Sequence, residues 1–362
     1  KLFSYWFKLW FIECVFKWKK SIVKKCKVLD EANGISDTID NFNLEDKNQY
    51  HKIKNSLSRK NIKHLVTIAR GSSDSAALFA SYLFAKSLGI TTYSLPPSII
   101  THEKSKFDFS KTLVLIISQS GLSEDLIKCS EECRKMGALI IVLTNNSLSP
   151  IINNSDFFLN INAKKEKSIA ATKTFLLSLV NIVKLVAVIS NEEILLKHII
   201  NLPKYIENEL NQEWDPELVN SSISKGFVIS RGLGYALSTE ISLKFKEFCL
   251  ELIEPFSSAE VMHGPKSLID NSLKIFNLSL NDASGKSVLK EIKTFKSITN
   301  YVYSINSNHS DSMDLNYNSI GFPEIDSLLV MAKFYPWIIK YTILKGLDPD
   351  KPRYLKKYTN TF

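Results

Sequence analysis

His64-Leu65-Val66-Thr67-Ile68-Ala69-Arg70-Gly71-Ser72-Ser73-Asp74-Ser75 decides the fold. A β-branched run passes through an Arg-Gly turn into a serine-rich segment, and from Ser73 the apolar residues recur at helical spacing. That is the text of a buried strand feeding a helix. Moving outward, the alternation continues. Strands are predicted over 64–69, 91–95, 112–118, 138–144 and 157–161, with helices over 73–87, 122–136 and 171–189 between or after them. A second set follows, with a strand over 227–230, a helix over 236–250, strands near 273–280 and 301–305, and a last helix over 326–344. Strands alternating with helices imply βαβ units and parallel sheets. The polar stretch 191–221, with Pro203 and Pro216, reads as a helical linker between two halves.

The halves match one another. The offset that lays Ile68-Ala69-Arg70-Gly71 on Ile229-Ser230-Arg231-Gly232 also pairs Ser81 with Ser242 and Phe84 with Phe245. Few residues are identical, but the order of strand, Arg-Gly turn and helix is the same in both, the mark of an internal repeat. In such sheets ligands sit beyond the carboxyl ends of the strands, where helix N-termini present free N–H groups.

At 362 residues and 44% hydrophobic composition, the chain has material for two conventional cores. Collagen-like, disordered and disulfide-scaffold classes are excluded. The net charge of +9 would suggest a nucleic-acid or membrane partner, but residues 1–27 alone hold eight lysines against Glu13, leaving +2 on the rest. The nearly balanced body argues against nucleic-acid binding. That leading segment also holds Trp6, Trp10 and Trp18, and its apolar run is interrupted by Lys8 and Glu13. A spanning helix and a signal peptide both fit poorly. A surface amphipathic helix is one alternative, and an extension outside the fold is the reading adopted. Cys14, Cys26, Cys129, Cys133 and Cys249 show no framework spacing, and no His or second Cys pair completes a zinc site around Cys129 and Cys133. Reduced packing thiols, and hence a cytoplasmic protein, are expected. The apolar run 174–190 contains Asn181 and Lys184, which suits a buried helix better than a membrane span.

Two serine loops fall at predicted strand ends: Gly71-Ser72-Ser73 after the first strand, and Ser118-Gln119-Ser120-Gly121-Leu122-Ser123 after the third. Glycine admits a close backbone approach, hydroxyl and amide groups donate hydrogen bonds, and the helix dipole favours a dianion. Either loop alone could simply cap a helix; two on one sheet favour a phosphate. Neither matches a Walker motif or a dinucleotide fingerprint. In the second half, Glu240, Lys244 and Glu247 share one helical face, which fits either a solvated salt-bridge ladder or a site. Nearby, His263 sits in a Gly-Pro loop, where a titrating group is either catalytic or incidental.

Ser118-Gln119-Ser120-Gly121, Ala170-Ala171-Thr172-Lys173, Glu240 with Lys244-Phe245-Lys246-Glu247, His263-Gly264-Pro265 and Lys351-Pro352-Arg353-Tyr354-Leu355-Lys356-Lys357 occur in that order. Together they resemble the sugar isomerase (SIS) domain pair of glucosamine-6-phosphate synthase and the SIS-type glucosamine-6-phosphate deaminases, from about residue 28 onward. The resemblance implies two tandem SIS-like α/β domains, each a parallel sheet flanked by helices in a flavodoxin- or Rossmann-like three-layer sandwich. It divides the chain into a leader (1–27) outside the fold, a helical segment (28–60), a first SIS domain binding sugar phosphate (61–195), a linker (196–221), a second, catalytic SIS domain (222–345) and a tail (346–362) carrying an active-site lysine.

The resemblance also assigns roles. Sugar phosphate falls to Gly71, Ser72, Ser73, Ser118, Gln119, Ser120 and Ser123, with Ala170 and Ala171 at the substrate. Proton transfer falls to Glu247, ring opening to His263, and imine formation or charge stabilisation to Lys357, with Lys244 lining the same site. It implies a homodimer, since His263 is then supplied by the neighbouring subunit. Ring opening followed by C1–C2 proton transfer needs one carboxylate over both carbons, an acid at the ring oxygen and a cation near the carbonyl. It requires no metal or organic cofactor. About 60 residues before the first strand are too few for a glutaminase domain, and Ala171 stands where synthases tend to carry serine. The expectation is therefore release of ammonia from glucosamine 6-phosphate, with isomerisation or deglycation of a related phosphosugar, uptake of free ammonia, or non-catalytic sensing as alternatives. Lys164-Lys165 depart from the glycine-containing turn usual in relatives.

Overall fold

A computed structural model describes residues 25–43, 48–308 and 313–357. Residues 1–24, with Cys14 and the three leader tryptophans, lie outside the described residues. The first half runs α1 (Lys27–Asn33), α2 (Ile35–Asn43), α3 (Asn48–Arg59), β1 (His64–Ile68), α4 (Ser72–Leu88), β2 (Thr91–Ser94), α5 (Pro97–Thr101), β3 (Thr112–Ile117), α6 (Glu124–Lys135), β4 (Leu139–Thr144), β5 (Phe157–Asn160) and α7 (Lys173–Ser190). After α8 (Glu193–Leu210) come β6 (Lys225–Ser230), α9 (Leu233–Cys249), β7 (Leu252–Ser257), α10 (Ser258–Met262), β8 (Lys274–Leu278), α11 (Ala283–Lys296), β9 (Val302–Asn306), β10 (Asp314–Asn316) and α12 (Pro323–Leu344).

Among the described residues there are two five-stranded sheets, ordered β2-β1-β3-β4-β5 and β10-β9-β8-β6-β7, and every pairing is parallel. Numbered within its own half, each sheet has the doubly wound order 2-1-3-4-5, which reverses direction beside its first strand. β3 and β4 are buried at every position, as expected of strands covered on both faces. One continuous core reaches from Cys26 to Ile343 and joins the inner faces of both sheets through α4, α7, α9 and α12. Smaller outer clusters lie under α5 and α6 on the first sheet and under α10 and α11 on the second.

The repeat holds in the backbone at its most demanding point. Gly71 (φ 58°, ψ −135°) and Gly232 (φ 63°, ψ −136°) each cap the helix after the first strand of their half, in a conformation that side chains disfavour.

Several expectations change. The stretch read as a helical linker is helical over α8, but it packs into the core: Leu195, Ile199, Leu202, Pro203 and Ile206 are buried against α2, α7 and α12. β7 escapes sequence reading because Pro255 interrupts it; the strand lies at the sheet edge, where a missing N–H costs no ladder bond. α11, whose Val288, Ile292 and Phe295 recur at helical spacing, and the three-residue edge strand β10 are also additions of the structure. The fold begins before residue 28: Cys26 is buried, and the Lys27 and Val28 N–H groups donate to Asp350 at 2.9 and 3.0 Å. α7 is long and apolar enough to cross a membrane, yet 89% of it is buried inside the protein. Tyr50 donates to Asn181 there at 2.9 Å, and Lys184 lies over the Tyr50 ring. Cys129 and Cys133 pack as reduced thiols, each pushed up to about 12 by burial.

Candidate active site

Beyond the carboxyl ends of β1 and β3 lies a cavity of about 520 Å³. The first serine loop contributes Gly71 and Ser73, the second contributes Ser118, Gln119, Ser120 and Ser123, and Lys357 reaches it from the C-terminal tail. Gly71 has open space where a Cβ would stand, so the backbone can meet a ligand there. Gly121 is the opposite case: at φ +63° its Cβ would fall 2.0 Å from Ser149 Oγ, which donates to the Gly121 carbonyl at 2.7 Å. That contact and the Gly121 N–H bond to Ser118 Oγ at 3.1 Å fix the second loop. The capping alternative does not hold for Ser123, which occupies the N-cap of α6 without a side-chain cap bond.

Ser72 connects this cavity to the second half. Its hydroxyl accepts from Lys244 Nζ at 3.0 Å, and the same ammonium lies 2.5 Å from Glu247 Oε2 and 3.4 Å from Glu240 Oε1. The three ionisable residues on one face of α9 are therefore no solvated ladder: Glu240 and Lys244 are fully buried, and the Glu247 side chain is 19% exposed. Burial alone would lower the Lys244 pKa, but Glu240 and Glu247 outweigh it and hold the ammonium form. Burial, reinforced by the nearby Glu247, pushes Glu240 up to about 7 against the pull of Lys244. Tyr335 on α12 donates to Glu240 Oε1 at 3.0 Å and, buried, is held well above the usual phenol range.

Lys357 is held from the other side. Its Nζ donates to Ser168 O at 2.6 Å and lies 3.2 Å from Glu166 Oε2. Glu166 is buried and also accepts from the Thr172 N–H at 3.0 Å and the Thr174 hydroxyl at 2.8 Å. Burial works to raise its pKa, but Lys357 and these donors hold it below the usual carboxylate range. One carboxylate thus ties the tail lysine to the start of α7. Ala171 lines a small crevice that shares Ser73 and Gln119 with the main cavity, whereas Ala170 is buried and lines neither. Lys164 adopts φ +53°, so the turn keeps a left-handed backbone with lysine in place of glycine.

Of the expected site residues, Gly71, Ser73, Ser118, Gln119, Ser120, Ser123 and Lys357 line the cavity, Ser72 and Ala171 line the adjoining crevice, Lys244 and Glu247 are joined to it through Ser72, and Ala170 and the exposed His263 line neither. The structure also adds contributors that sequence reading misses. Arg70 lines the cavity, with Nε and Nη2 both 2.8 Å from Asp125 Oδ2; in the sequence it is legible only as part of a turn. Glu166 gives no signal, standing among Lys164, Lys165 and Lys167 as if in a solvated run.

Residues 59–188 match the family model described as the SIS domain. The chain carries a SIS domain. Outside that domain the similarity continues: a glutamine--fructose-6-phosphate aminotransferase (isomerizing) from Sulfolobus acidocaldarius is 28% identical over 348 residues, which are 91% of this chain and 55% of that protein. The chain spans about half the length of the curated relatives it matches. Among solved structures, a protein designated a phosphosugar isomerase from Silicibacter pomeroyi superposes with a TM-score of 0.83 at 27% identity, covering 90% of this chain and 100% of that one. A glucosamine-6-phosphate deaminase from Thermotoga maritima shares the fold at a TM-score of 0.72 and 20% identity, covering 94% of this chain and 99% of that one. The SIS domain contributes the serine loops, and the chain as a whole resembles the isomerase half of glucosamine-6-phosphate synthase.

Proposed function

We propose that this chain is a phosphosugar isomerase of the SIS family built from two tandem SIS domains, and that it converts glucosamine 6-phosphate to fructose 6-phosphate and ammonia. The observation that carries this reading is Lys244, a fully buried ammonium bonded both to Ser72 of a phosphate-type loop and to Glu247. It places a carboxylate and a cation beside the loops that would hold the phosphate, as C1–C2 proton transfer requires.

In this reading the phosphate is held by the hydroxyls of Ser73, Ser118, Ser120 and Ser123 and by the loop amides. The partner's His263 protonates the ring oxygen in a homodimer, a role consistent with the exposure of His263 in a single chain. Glu247 removes the proton from C2 of the open-chain amino aldose and returns it at C1, leaving an imine at C2 that water hydrolyses to the ketone and ammonia. Lys244 and Lys357 stabilise the negative charge that develops at the carbonyl oxygen; in the alternative role Lys357 first gives a proton to Glu166 and its amine then forms an imine with the open-chain ketose, releasing water. Loss of ammonia, as opposed to isomerisation alone, rests on Ala171 in the Ala170-Ala171-Thr172-Lys173 segment.

The test is to incubate the purified chain with glucosamine 6-phosphate in deuterated water, measuring ammonia, fructose 6-phosphate and deuterium at C1 or C2. Equimolar ammonia and ketose are expected. Isomerisation of a hexose phosphate without ammonia would replace the substrate but keep the chemistry; no turnover of any hexose or hexosamine phosphate would overturn the reading.

A further inference from the structure

A second crevice, of about 540 Å³, lies beyond the carboxyl ends of the second sheet. Its place matches that of the first. Arg231 and Gly232 line it as Arg70 and Gly71 line the other, and the two glycines share one backbone conformation. The reciprocity extends to the opposite half. Glu247, on the second half's helix α9, is joined to the first site through Lys244 and Ser72. The offset that lays Gly71 on Gly232 pairs Glu247 with Lys86 on α4, which lines the second crevice together with Tyr82. An ammonium therefore stands where the first site has its proton-transferring carboxylate.

We propose that this crevice binds a second phosphorylated sugar or polyol without turning it over. Arg231 and Lys86 supply the cations for the phosphate, while the Tyr82 and Ser284 hydroxyls and the Asp282 carboxylate face the remaining hydroxyls. Asp282 also accepts from the Gly285 N–H at 2.7 Å, so the start of α11 is already satisfied and the phosphate belongs on the Arg231 side. Both cations can reorient. Arg231 is exposed and donates to Ser287 Oγ at 3.2 Å, and the Lys86 side chain, 50% exposed, pairs with Glu324 at 2.7 Å. The position of the first site's carboxylate is taken by Lys86, and the crevice's own carboxylate, Asp282, is engaged by the Gly285 N–H at the start of α11, so no free carboxylate stands over the carbons to move a proton between them. The ligand class follows the proposed reading of the first site; the existence of the second does not.

Calorimetric titration of the full chain with sorbitol 6-phosphate, an open-chain polyol phosphate that cannot isomerise, decides the matter. Two sites per chain are expected. Arg231→Ala with Lys86→Met should weaken one of them by at least about tenfold, the loss expected for charge-assisted hydrogen bonds, and leave the other in place. Ser120→Asp should abolish only the other. A single site removed by Ser120→Asp and untouched by the Arg231 and Lys86 changes overturns the inference while sparing the first site. A single site with the reverse response sustains the inference and overturns the reading of the first. No binding overturns both, and inorganic phosphate binding the second site as tightly as the polyol phosphate overturns the assigned ligand class.

Discussion

Replacing Glu240 by Gln should flatten the dependence of stability on pH. Glu240 is fully buried, and its pKa rises from 4.5 to about 7 on folding. Between those values the folded protein keeps a proton that the unfolded chain releases, so stability is greatest below pH 4.5 and declines as pH rises through 7. At about 1.4 kcal/mol per pH unit, the loss attributable to this one group is about 3 kcal/mol. Glutamine preserves the acceptor for the Tyr335 hydroxyl and leaves Lys244 with Glu247 as counter-ion, 2.5 Å away, so no buried charge is stranded. Urea unfolding of both proteins at half-unit steps from pH 5 to 8.5, under conditions where the transition is cooperative, measures the difference. The wild type should lose stability relative to Glu240→Gln by about 3 kcal/mol over the interval. Parallel curves would refute the argument and show that Lys244 already holds Glu240 as a carboxylate at pH 5.

Glu247→Gln should lower kcat by about a hundredfold to ten-thousandfold, as expected for removal of a general base, while phosphosugar binding measured by calorimetry stays within a few fold; near-normal turnover would contradict the mechanism. Ser120→Ala should act mainly on KM, and a fall in kcat alone would remove that serine from binding. Gly121→Ala forces a Cβ into Ser149 at a left-handed φ, so thermal unfolding should show a loss of about 1 kcal/mol or more together with a raised KM. Glu166→Gln reverses the pH sign seen for Glu240: its depressed pKa stabilises the fold above pH 4.5 and that stability is lost as pH falls below it. The variant should therefore lose acid sensitivity, and it should also loosen Lys357, seen as faster amide exchange in the C-terminal tail.

Much of the fold was legible because strands buried on both faces write themselves as continuous apolar runs. Leu113-Val114-Leu115-Ile116-Ile117 and Leu139-Ile140-Ile141-Val142-Leu143 need no tertiary context to be read. The pieces that escaped depend on context. Pro255 is compatible with a strand only because β7 is an edge, and α8, legible as a helix, reads as a mere linker until α2, α7 and α12 close around its one apolar face.

The same division runs through the site. By itself, the sequence determined the two Arg-Gly turns, the serine loops at strand ends and the ordered motifs that point to SIS domains, because these are local requirements of backbone and residue type. Only the tertiary structure decided that Glu240 and Lys244 are buried and not solvated, that Lys244 on α9 bonds Ser72 of the opposite half, and that Glu166 gathers Lys357 into the cavity from the far end of the chain. Spacing along a helix places charges on a common face, but whether that face meets water or another half of the protein is set by packing, and with it the dielectric that shifts a glutamate from 4.5 to about 7.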